Sequence, residues 1–456
     1  MKAQLTSQAG LRLMRVVMFT LILSSMSVLM FNFVLPEIRR SFELTTAQVS
    51  WVTSAYALIY GIGTVIYGKL ADRYKLKNIM TVGLLVFTIG SIIGLVSNSY
   101  WMVLLARCLQ ATGASSIPAT AMLIPIRYFP PEQRGTAMGT AFVGLALGSA
   151  LGPVVSALIV SIVHWRWLFC IPLLILFTLP FYRKYLGDEQ GTDSQIDWIG
   201  GILLAATATL LLLGVTNETI WFVIGGGIAL ALFIVRILTV EHPFVQPHLF
   251  VNKSYTSRII MAFLISGIGF SLYFLSPLFL AQVQQLPAMW VSLAMVPAAL
   301  SSAILGRQGG KLADKKGNSY LFFIASVLLI SCFALLSTFI GASPILIASF
   351  LVLGQVGQTF IMIAISNSVS MTLPKEQSGV GMGLLSMLNF ISGGMASGIY
   401  GKVVDLGANV SWNPVNLYVK GDIYSNIFLI LAVIYVGILI FYYRIAGREL
   451  PAQYKQ

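Results

Sequence analysis

The pentapeptide GKLAD at residues 68–72 recurs letter for letter at residues 310–314, an offset of 242 residues. A second segment repeats at an offset of 244, since EQRGTAMG at residues 132–139 returns as EQSGVGMG at residues 376–383. Two matches at nearly one offset indicate an internal duplication. The chain is therefore predicted to consist of two similar halves that run in the same orientation.

Composition places both halves in a membrane. Of the 456 residues, 57% are hydrophobic and 9% are charged, whereas soluble domains carry about 25% charged residues. A soluble enzyme or binding module is excluded, because water would meet more apolar surface than a monomer can bury. A helix needs about 20 apolar residues to cross a bilayer, and short charged clusters divide the sequence into fourteen such stretches. The predicted fold is an all-α, polytopic membrane protein.

The repeat indicates how the fourteen predicted helices are grouped. Residues 1–182 are expected to form an N-terminal six-helix bundle, and residues 258–456 a C-terminal six-helix bundle. Residues 183–257 would form a linker that carries two extra transmembrane helices. Both repeated loops then lie on the same side of the membrane, as a parallel duplication requires.

The net charge of +13 reflects topology and not a nucleic-acid surface, because the basic residues lie in short loops beside apolar runs. When successive loops are assigned to alternate sides, most Lys and Arg residues fall on the side of the termini. Both termini are therefore expected in the cytoplasm. The exceptions are Arg39, Arg40, Arg166, Lys402 and Lys420, with Arg107 inside a helix.

Local patterns accompany the repeat: Arg107-x-x-Gln110-x-x-Gly113 on helix 4, Gly148-x-x-x-Gly152-Pro153 on helix 5 and Asp197-Trp198 before helix 7. With the duplicated loop, they make the sequence resemble the major facilitator superfamily. The two extra central helices resemble its fourteen-helix drug/proton antiporter branch, and within it the tetracycline efflux proteins of Gram-positive bacteria. The resemblance implies a monomeric secondary exporter of small molecules in a bacterial cytoplasmic membrane, working by alternating access without a cofactor other than a coupling proton.

The duplicated loop is predicted to control this conformational change. A carboxylate at Asp72 or Asp314 can accept backbone N–H groups at a helix start, or pair with Arg134. A contact made in only one conformation would bias the switch between inward-open and outward-open states. The resemblance implies the same role, as a conformational latch, for Gly68, Asp72 and Arg73, with Asp314 as the second copy.

Arg107 is a cation deep in an apolar helix, where an unpaired Arg costs roughly 2.5 to 3.5 kcal/mol. One hypothesis is contact with substrate or a coupling proton, because intramembrane charges usually face a wet cavity. The alternative is that Arg107 bonds backbone carbonyls or Asn32 and holds the first half together. Gln110 shares the face of Arg107 on helix 4, and Ser25 shares a face with Asn32 on helix 1.

The second half supplies uncharged candidates, each of which either lines a cavity or makes hydrogen bonds between helices. Together with Arg107 they would suit a flat organic molecule with a negative group. They are Phe270, Tyr273 and Phe274 on helix 9, Gln355 and Gln358 on helix 12, and Asn389 on helix 13.

Helix 5 carries a stripe of small residues at a spacing of four, which lets another helix approach closely. The stripe comprises Gly144, Gly148, Gly152 and Pro153. In the family it resembles, this stripe marks exporters, although Ser156-Ala157 stands here where a glycine pair is usual.

Proton coupling has no obvious carboxylate. Positions that match membrane acids of the family hold Ser27, Ser149 and Gly393, yet proton exchange usually needs a buried carboxylate. Two kinds of cargo stay open: amphiphilic drugs or antibiotics, or a small anionic or zwitterionic metabolite such as an aromatic amino acid. A channel or membrane enzyme is a remote alternative, because no nucleophile or metal constellation is present.

Overall fold

The computed structural model describes residues 7–187, 195–216, 219–408, 410–416, 418 and 421–453. Within these residues the chain forms eighteen α-helices, several joined by short 3-10 turns. Their bounds are α1 Ser7–Met30, α2 Leu35–Ser41, α3 Thr46–Arg73, α4 Leu76–Leu95, α5 Tyr100–Ala114, α6 Ser116–Tyr128, α7 Arg134–Ile162, α8 Cys170–Leu173, α9 Leu179–Tyr185, α10 Trp198–Thr216, α11 Ile220–Thr239, α12 His248–Val251, α13 Lys253–Gln282, α14 Ala288–Lys316, α15 Asn318–Thr338, α16 Pro344–Thr372, α17 Ser378–Leu406 and α18 Asp422–Gln453.

Helix ends follow local signals in the sequence. Helix α3 begins with a capping box, in which the Thr45 hydroxyl accepts from the Gln48 backbone N–H at 3.2 Å and the Gln48 side chain accepts from the Thr45 N–H at 2.9 Å. Helix α14 ends at Gly317, whose φ of +88° suits glycine and few other residues. The chain reverses there, so that α15 begins at the next residue and packs beside α14.

Twelve helical stretches of the described chain are long and apolar enough to cross a membrane. The prediction of a polytopic helical membrane protein agrees with this count, but the prediction of fourteen spans is not confirmed. Besides the short helices α2 and α12, two parts of the helical chain are not among the twelve. They are the stretch of α5 and α6, where the helix is interrupted at Ser115, and α14.

The helices pack as two related groups. In the first, α1 lies against α7 and α4 lies against α5; in the second, α13 lies against α17 and α15 lies against α16 and α18. The groups meet along two pairs of helices, α3 with α17 and α7 with α14. The hairpin of α10 and α11 packs on α17 and touches α3. The boundaries predicted at 182 and 258 stay a prediction.

The glycine stripe of α7 lies against α1. A Cβ on Gly144 would come 2.6 Å from the Met18 carbonyl oxygen, and one on Gly148 would collide with the Ile22 carbonyl. At Gly152 the nearest α1 atoms would be 3.2 Å away, so the contact loosens toward Pro153, which lies inside α7. The stripe thus lets the two backbones touch, while its link to export stays a prediction.

Gly148→Leu is expected to lower the thermal stability of the detergent-solubilised protein by several degrees, because α1 must move away from α7. The matched control is Gly227→Leu in α11, where a Cβ would meet nothing within 4 Å. We expect the control to unfold near the wild-type temperature. Equal stability of the two variants would show that the α1–α7 contact is not tight.

Candidate gates and substrate site

The first gate joins the end of α3 to the start of α17. The Asp72 carboxylate accepts the backbone N–H of Gly379 at 2.7 Å and that of Val380 at 2.9 Å. Both donors belong to the first turn of α17, where N–H groups lack partners within the helix and the helix dipole favours a negative charge. A side chain of the first half therefore caps a helix of the second half.

The second gate repeats this arrangement with the halves exchanged. The Asp314 carboxylate, near the end of α14, accepts the backbone N–H groups of Gly135 and Thr136, both at 2.8 Å. These donors belong to the first turn of α7. The two GKLAD segments, predicted as loops, are the helical ends of α3 and α14, and they make equivalent contacts at the same end of the molecule, which we call the gate end.

Glycine lets the backbones meet at both gates. A Cβ on Gly68 would collide with the carbonyl of Gly379, and one on Gly310 would collide with the carbonyl of Gly135. Further along the first gate, a Cβ on Gly383 would come 2.9 Å from the Thr64 carbonyl oxygen. The GKLAD repeat therefore supplies both the carboxylate and the space in which its partner helix sits.

The basic partner of Asp72 differs from the one predicted. Arg134 donates to the carbonyls of Ile126 at 2.9 Å and Phe129 at 3.4 Å, within its own half. The guanidinium beside Asp72 is that of Arg127, whose Nη2 lies 3.5 Å from Asp72 Oδ1 and donates to the Ala71 carbonyl at 2.8 Å. The proposed Asp72–Arg134 pair is therefore corrected to Asp72–Arg127.

Arg73 follows Asp72 at the end of α3. Its guanidinium lies over the ring of the adjacent Tyr74, 5.5 Å from the centroid. Asp72 itself is buried, whereas Arg73 is half-buried. A direct role for Arg73 in either gate stays a prediction.

The two gates use different third donors. At the repeat offset of 244, Arg127 corresponds to Met371, so the second gate has no guanidinium at the equivalent place. The second gate instead has the Thr136 hydroxyl, which donates to Asp314 at 2.5 Å and corresponds to Val380 in the first. The carboxylate of the first gate thus pairs with a cation, Arg127, whereas the carboxylate of the second gate accepts from a neutral hydroxyl, that of Thr136.

Arg107 is fully buried in the first half. It donates to the carbonyls of Ser27 and Val52, each at 3.3 Å, and to Gln110 Oε1 at 3.0 Å. Gln110 in turn donates to the Ser91 hydroxyl at 2.8 Å. These contacts join α5 to α1, α3 and α4.

Two aromatic rings complete the surroundings of Arg107. The guanidinium carbon lies 4.2 Å from the centroid of Phe31 and 3.9 Å from that of Tyr56, distances at which the ring faces attract a cation. Asn32, one of the two partners considered from sequence, is exposed. Arg107 therefore bonds backbone carbonyls and not Asn32. Its side chain is fully buried in this conformation, so a substrate cannot contact it.

Ser25 contributes to packing between α1 and α7. Its hydroxyl lies 2.9 Å from that of Ser149 and donates to the Leu145 carbonyl at 3.1 Å. Ser149 stands at one of the positions where the family resemblance leads one to expect an acid. Here the pair is neutral, and it fastens two helices of the same half.

A row of aromatic rings leads from Arg107 to the second half. Tyr56 stacks on Tyr60 with centroids 5.8 Å apart, and Tyr60 meets Phe390 of α17 edge-on at 4.7 Å. Phe390 is 37% exposed. Tyr60 precedes Asp72 on α3 and Phe390 follows Gly379 on α17, so these contacts lie away from the first gate, at a second place where the two halves meet.

The predicted residues of the second half extend this surface. Phe270 of α13 would lie 3.0 Å from a Cβ on Gly393 of α17 and is 37% exposed. Asn389 accepts the Ser266 hydroxyl at 2.6 Å. We call Tyr56, Tyr60, Ser266, Phe270, Asn389 and Phe390 the aromatic junction.

The remaining candidates lie around the junction. The rings of Tyr273 and Phe270 are 6.3 Å apart, and Phe274 is half-buried near Gly401. Gln355 and Gln358 are buried in α16, where Gln358 packs against Gly269. The predicted set is thus brought together in part, with the two glutamines inside the second half.

Sequence reasoning missed Arg127, Tyr56, Tyr60 and Phe390. Tyr56 and Tyr60 are four residues apart on one helix face, and Arg127 lies near the end of helix 4 on the side of the repeated loops. Both signals are present in the sequence. Phe390 carries no comparable signal, because only the packing of α17 against α3 assigns it to the junction.

A family profile described as Major Facilitator Superfamily matches residues 17–397. The chain belongs to the major facilitator superfamily. It is therefore a multi-pass membrane transporter and not an enzyme. Members of the superfamily bind small-molecule substrates within the membrane and usually work as monomers.

The names of individual relatives state a substrate or a drug resistance. The chain is 29% identical to the riboflavin transporter RibZ of Clostridioides difficile over 63% of its own length and 64% of that relative's. It is 26% identical to the lincomycin resistance protein LmrB of Listeria monocytogenes over 82% of both chains. It is also 28% identical to multidrug resistance protein 3 of Bacillus subtilis over 61% of this chain and 57% of that one.

Solved superfamily structures share the fold. The human organic anion transporter MFSD10 superposes with a TM-score of 0.65 over 93% of this chain and 99% of its own, at 15% identity. The proton:xylose symporter XylE superposes with a TM-score of 0.67 over 96% of both chains, at 11% identity. At these identities the likeness concerns the fold alone.

Proposed function

We propose that the protein exports flat, amphiphilic organic molecules across a bacterial cytoplasmic membrane by alternating access. The observation that carries this proposal is the pair of equivalent gates, each formed by a carboxylate of one half and a helix start of the other. Contacts of this kind must break for the gate end to open, and they are intact here. The conformation is then one in which the gate end is closed.

The gate end is assigned to the cytoplasm. It carries most of the basic loops of the sequence, as the positive-inside rule requires of a cytoplasmic side. Both termini then lie in the cytoplasm. In this orientation closure of the two gates corresponds to the outward-facing state of an exporter.

Fourteen transmembrane helices are part of the same proposal. Helices α5 and α6 together run from residue 100 to 128, and α14 has 29 residues, each enough for a bilayer. Helix α14 packs against α7 and α16, both of them candidate spans. Adding these two segments to the twelve gives six helices in each half and two in the inserted hairpin.

The aromatic junction favours a planar cargo. Phe270 and Phe390 present ring surface, Tyr60 is buried against Phe390, and Asn389 adds an amide, a combination that suits a flat molecule with a few polar groups. Arg107 is enclosed, so a negative group on the cargo is not required. Drug-like molecules and flavin-like molecules, as the names of the relatives suggest, fit better than an aromatic amino acid.

Coupling to the proton gradient would act at Asp72, with no other cofactor. Asp72, Glu37 and Asp197 are acids that flank apolar helices; of these, Glu37 pairs with Arg40 at 3.5 Å on the surface and Asp197 pairs with Arg236 at 3.0 Å. Asp72 alone among them joins the two halves. Protonation would remove the charge that holds the start of α17 and so would favour opening of the first gate.

Inverted vesicles with an imposed pH gradient, acidic inside, test the export proposal. We expect uptake of riboflavin or lincomycin that saturates with concentration and collapses when the gradient is dissipated. Vesicles from cells that lack the protein are the control. Uptake that is not saturable, or that persists without the gradient, would contradict a coupled exporter.

Phe270→Leu and Phe390→Leu are each expected to weaken substrate affinity about threefold to tenfold, because both rings are exposed and a stacked ring contributes roughly 0.5 to 1.5 kcal/mol beyond its area. Phe441→Leu is the matched control, since Phe441 is 47% exposed on α18. Binding can be measured by quenching of riboflavin fluorescence. If all three variants bind alike, the junction is not the cargo site.

A further inference from the structure

We propose that the inserted hairpin is a clasp that holds the first gate closed and leaves the second gate untouched. This inference rests on the proposed alternation between open and closed gates. We use the word clasp for α10, α11 and the segments that flank them, residues 195–216 and 219–252.

The base of the hairpin is fixed by an ion pair whose carboxylate is buried. Asp197 Oδ1 accepts Arg236 Nη2 at 3.0 Å and Nε at 3.2 Å, and also the backbone N–H of Gly200 at 3.1 Å. Burial raises the pKa of Asp197, but the hydrogen bonds and charge of Arg236 together with the backbone N–H groups nearby outweigh it and hold that pKa below its usual range. The start of α10 and the end of α11 therefore move as one unit.

The segment after α11 continues this unit toward the gate end. Phe244 is buried, and its side chain lies where a Cβ on Gly200 or Gly201 would come within 3.1 Å. Val245, the next residue, is fully buried as well. Because these residues pack on the start of α10, the segment that follows them has a fixed position.

That segment binds the helix start that forms the first gate. Gln377, the residue before α17, donates its side-chain amide to Gln246, and the same nitrogen lies 3.0 Å from His248 Nε2. Gly379 and Val380, the donors to Asp72, follow within three residues. The clasp therefore holds the same turn of α17 that Asp72 holds.

The other side of the clasp reaches the other partner of the first gate. Lys69 of α3, three residues before Asp72, lies within electrostatic reach of both Asp72 and Asp197. Further along the hairpin, α10 packs on α17, where a Cβ on Gly394 would come 2.7 Å from Leu212. The clasp thus contacts both helices that must separate when the first gate opens.

The second gate has no such support. The residue equivalent to Gln377 is Gln133, which also precedes the helix start of its gate. Gln133 is exposed, and within the described chain no hydrogen bond of its side chain is found. The duplication therefore provides a matched pair of positions, one inside the clasp and one outside it.

The test compares Gln377→Ala with Gln133→Ala in the full-length protein. Spin labels report each gate from equivalent exposed positions, Tyr74→Cys with Glu376→Cys for the first and Lys316→Cys with Glu132→Cys for the second. Cys108, Cys170 and Cys332 are first replaced by Ala. Distances between labels are measured by pulsed electron paramagnetic resonance in nanodiscs.

We expect Gln377→Ala to raise the open population of the first gate roughly twofold to tenfold, the effect of losing one or two hydrogen bonds. Gln133→Ala should leave both gates unchanged. Asp197→Asn, which frees the base of the hairpin without touching α17, should also open the first gate and not the second.

Asp72→Asn in the same label background separates failure of the clasp from failure of the proposed function. If Asp72→Asn opens the first gate while Gln377→Ala and Asp197→Asn do not, the clasp proposal is wrong and alternating access stands. If no variant, Asp72→Asn included, moves either label pair, the gates themselves are wrong. Equal opening by Gln377→Ala and Gln133→Ala would also overturn the clasp.

Discussion

Asp72→Asn is expected to reduce transport at least tenfold while substrate affinity stays within about twofold of the wild type. The amide keeps the size of the side chain but loses its charge, and only one of its two polar atoms can accept an N–H group. Hydrogen bonds to a charged group contribute about 1.5 to 3 kcal/mol each. The closed state of the first gate should therefore lose most of its stability relative to the open state. Substrate affinity should hardly change, because the aromatic junction lies elsewhere on α3 and α17.

The measurement pairs equilibrium binding of riboflavin with its uptake into inverted vesicles, on the same preparation. Asp314→Asn is the matched variant for the second gate, and we expect a smaller loss there because the Thr136 hydroxyl can turn to accept from the amide nitrogen and no guanidinium loses its carboxylate partner. Normal transport by Asp72→Asn would rule out the gate. A loss of binding equal to the loss of transport would place Asp72 in the substrate site instead.

Arg107→Ala is expected to destabilise the first half strongly. The change leaves Ser27, Val52 and Gln110 without their donor and opens a space between Phe31 and Tyr56, two effects that each cost a few kcal/mol in buried sites. The unfolding temperature in detergent should fall by roughly 5 °C or more. Arg107→Lys should also destabilise, since an ammonium group cannot reproduce the planar fork of donors.

The repeat suggests a milder change at the same position. Leu351 is the equivalent residue of the second half and is fully buried. Arg107→Leu therefore tests whether an apolar residue can replace this buried charge, a replacement that other proteins tolerate. We expect Arg107→Leu to be more stable than Arg107→Ala. A tenfold loss of substrate affinity in a variant of normal stability would instead favour direct recognition by Arg107.

The sequence predicts the duplicated architecture and the gate carboxylates because both depend on short, local patterns. GKLAD carries a glycine and a carboxylate, which lie at the end of α3, and its repetition at the end of α14 implies two equivalent contacts. By contrast, the partner of Asp72 depends on how α6 is rotated against α3, and sequence spacing does not specify that rotation. This is why Arg134 was predicted and Arg127 is found.

The aromatic junction was only partly predictable for the same reason. Phe270 and Asn389 follow helical periodicity, but Tyr60 and Phe390 become neighbours only when the two halves meet. Arg107 shows the opposite case. Its burial was evident, but whether its guanidinium faces a cavity or a set of carbonyls depends on the ends of α1 and α3, which bring Ser27 and Val52 to it.

Reciprocal capping at the two gates is the contact pattern of an isologous interface, in which the same patch of two identical subunits is used twice. In a symmetric dimer of six-helix subunits, any substitution in the gate would appear in both copies at once. Joining the copies in one chain removes that constraint. Arg127 corresponds to Met371 in the repeat, and Thr136 corresponds to Val380. A symmetric dimer could not contain such differences. The fused chain can therefore make one half of its interface more stable than the other.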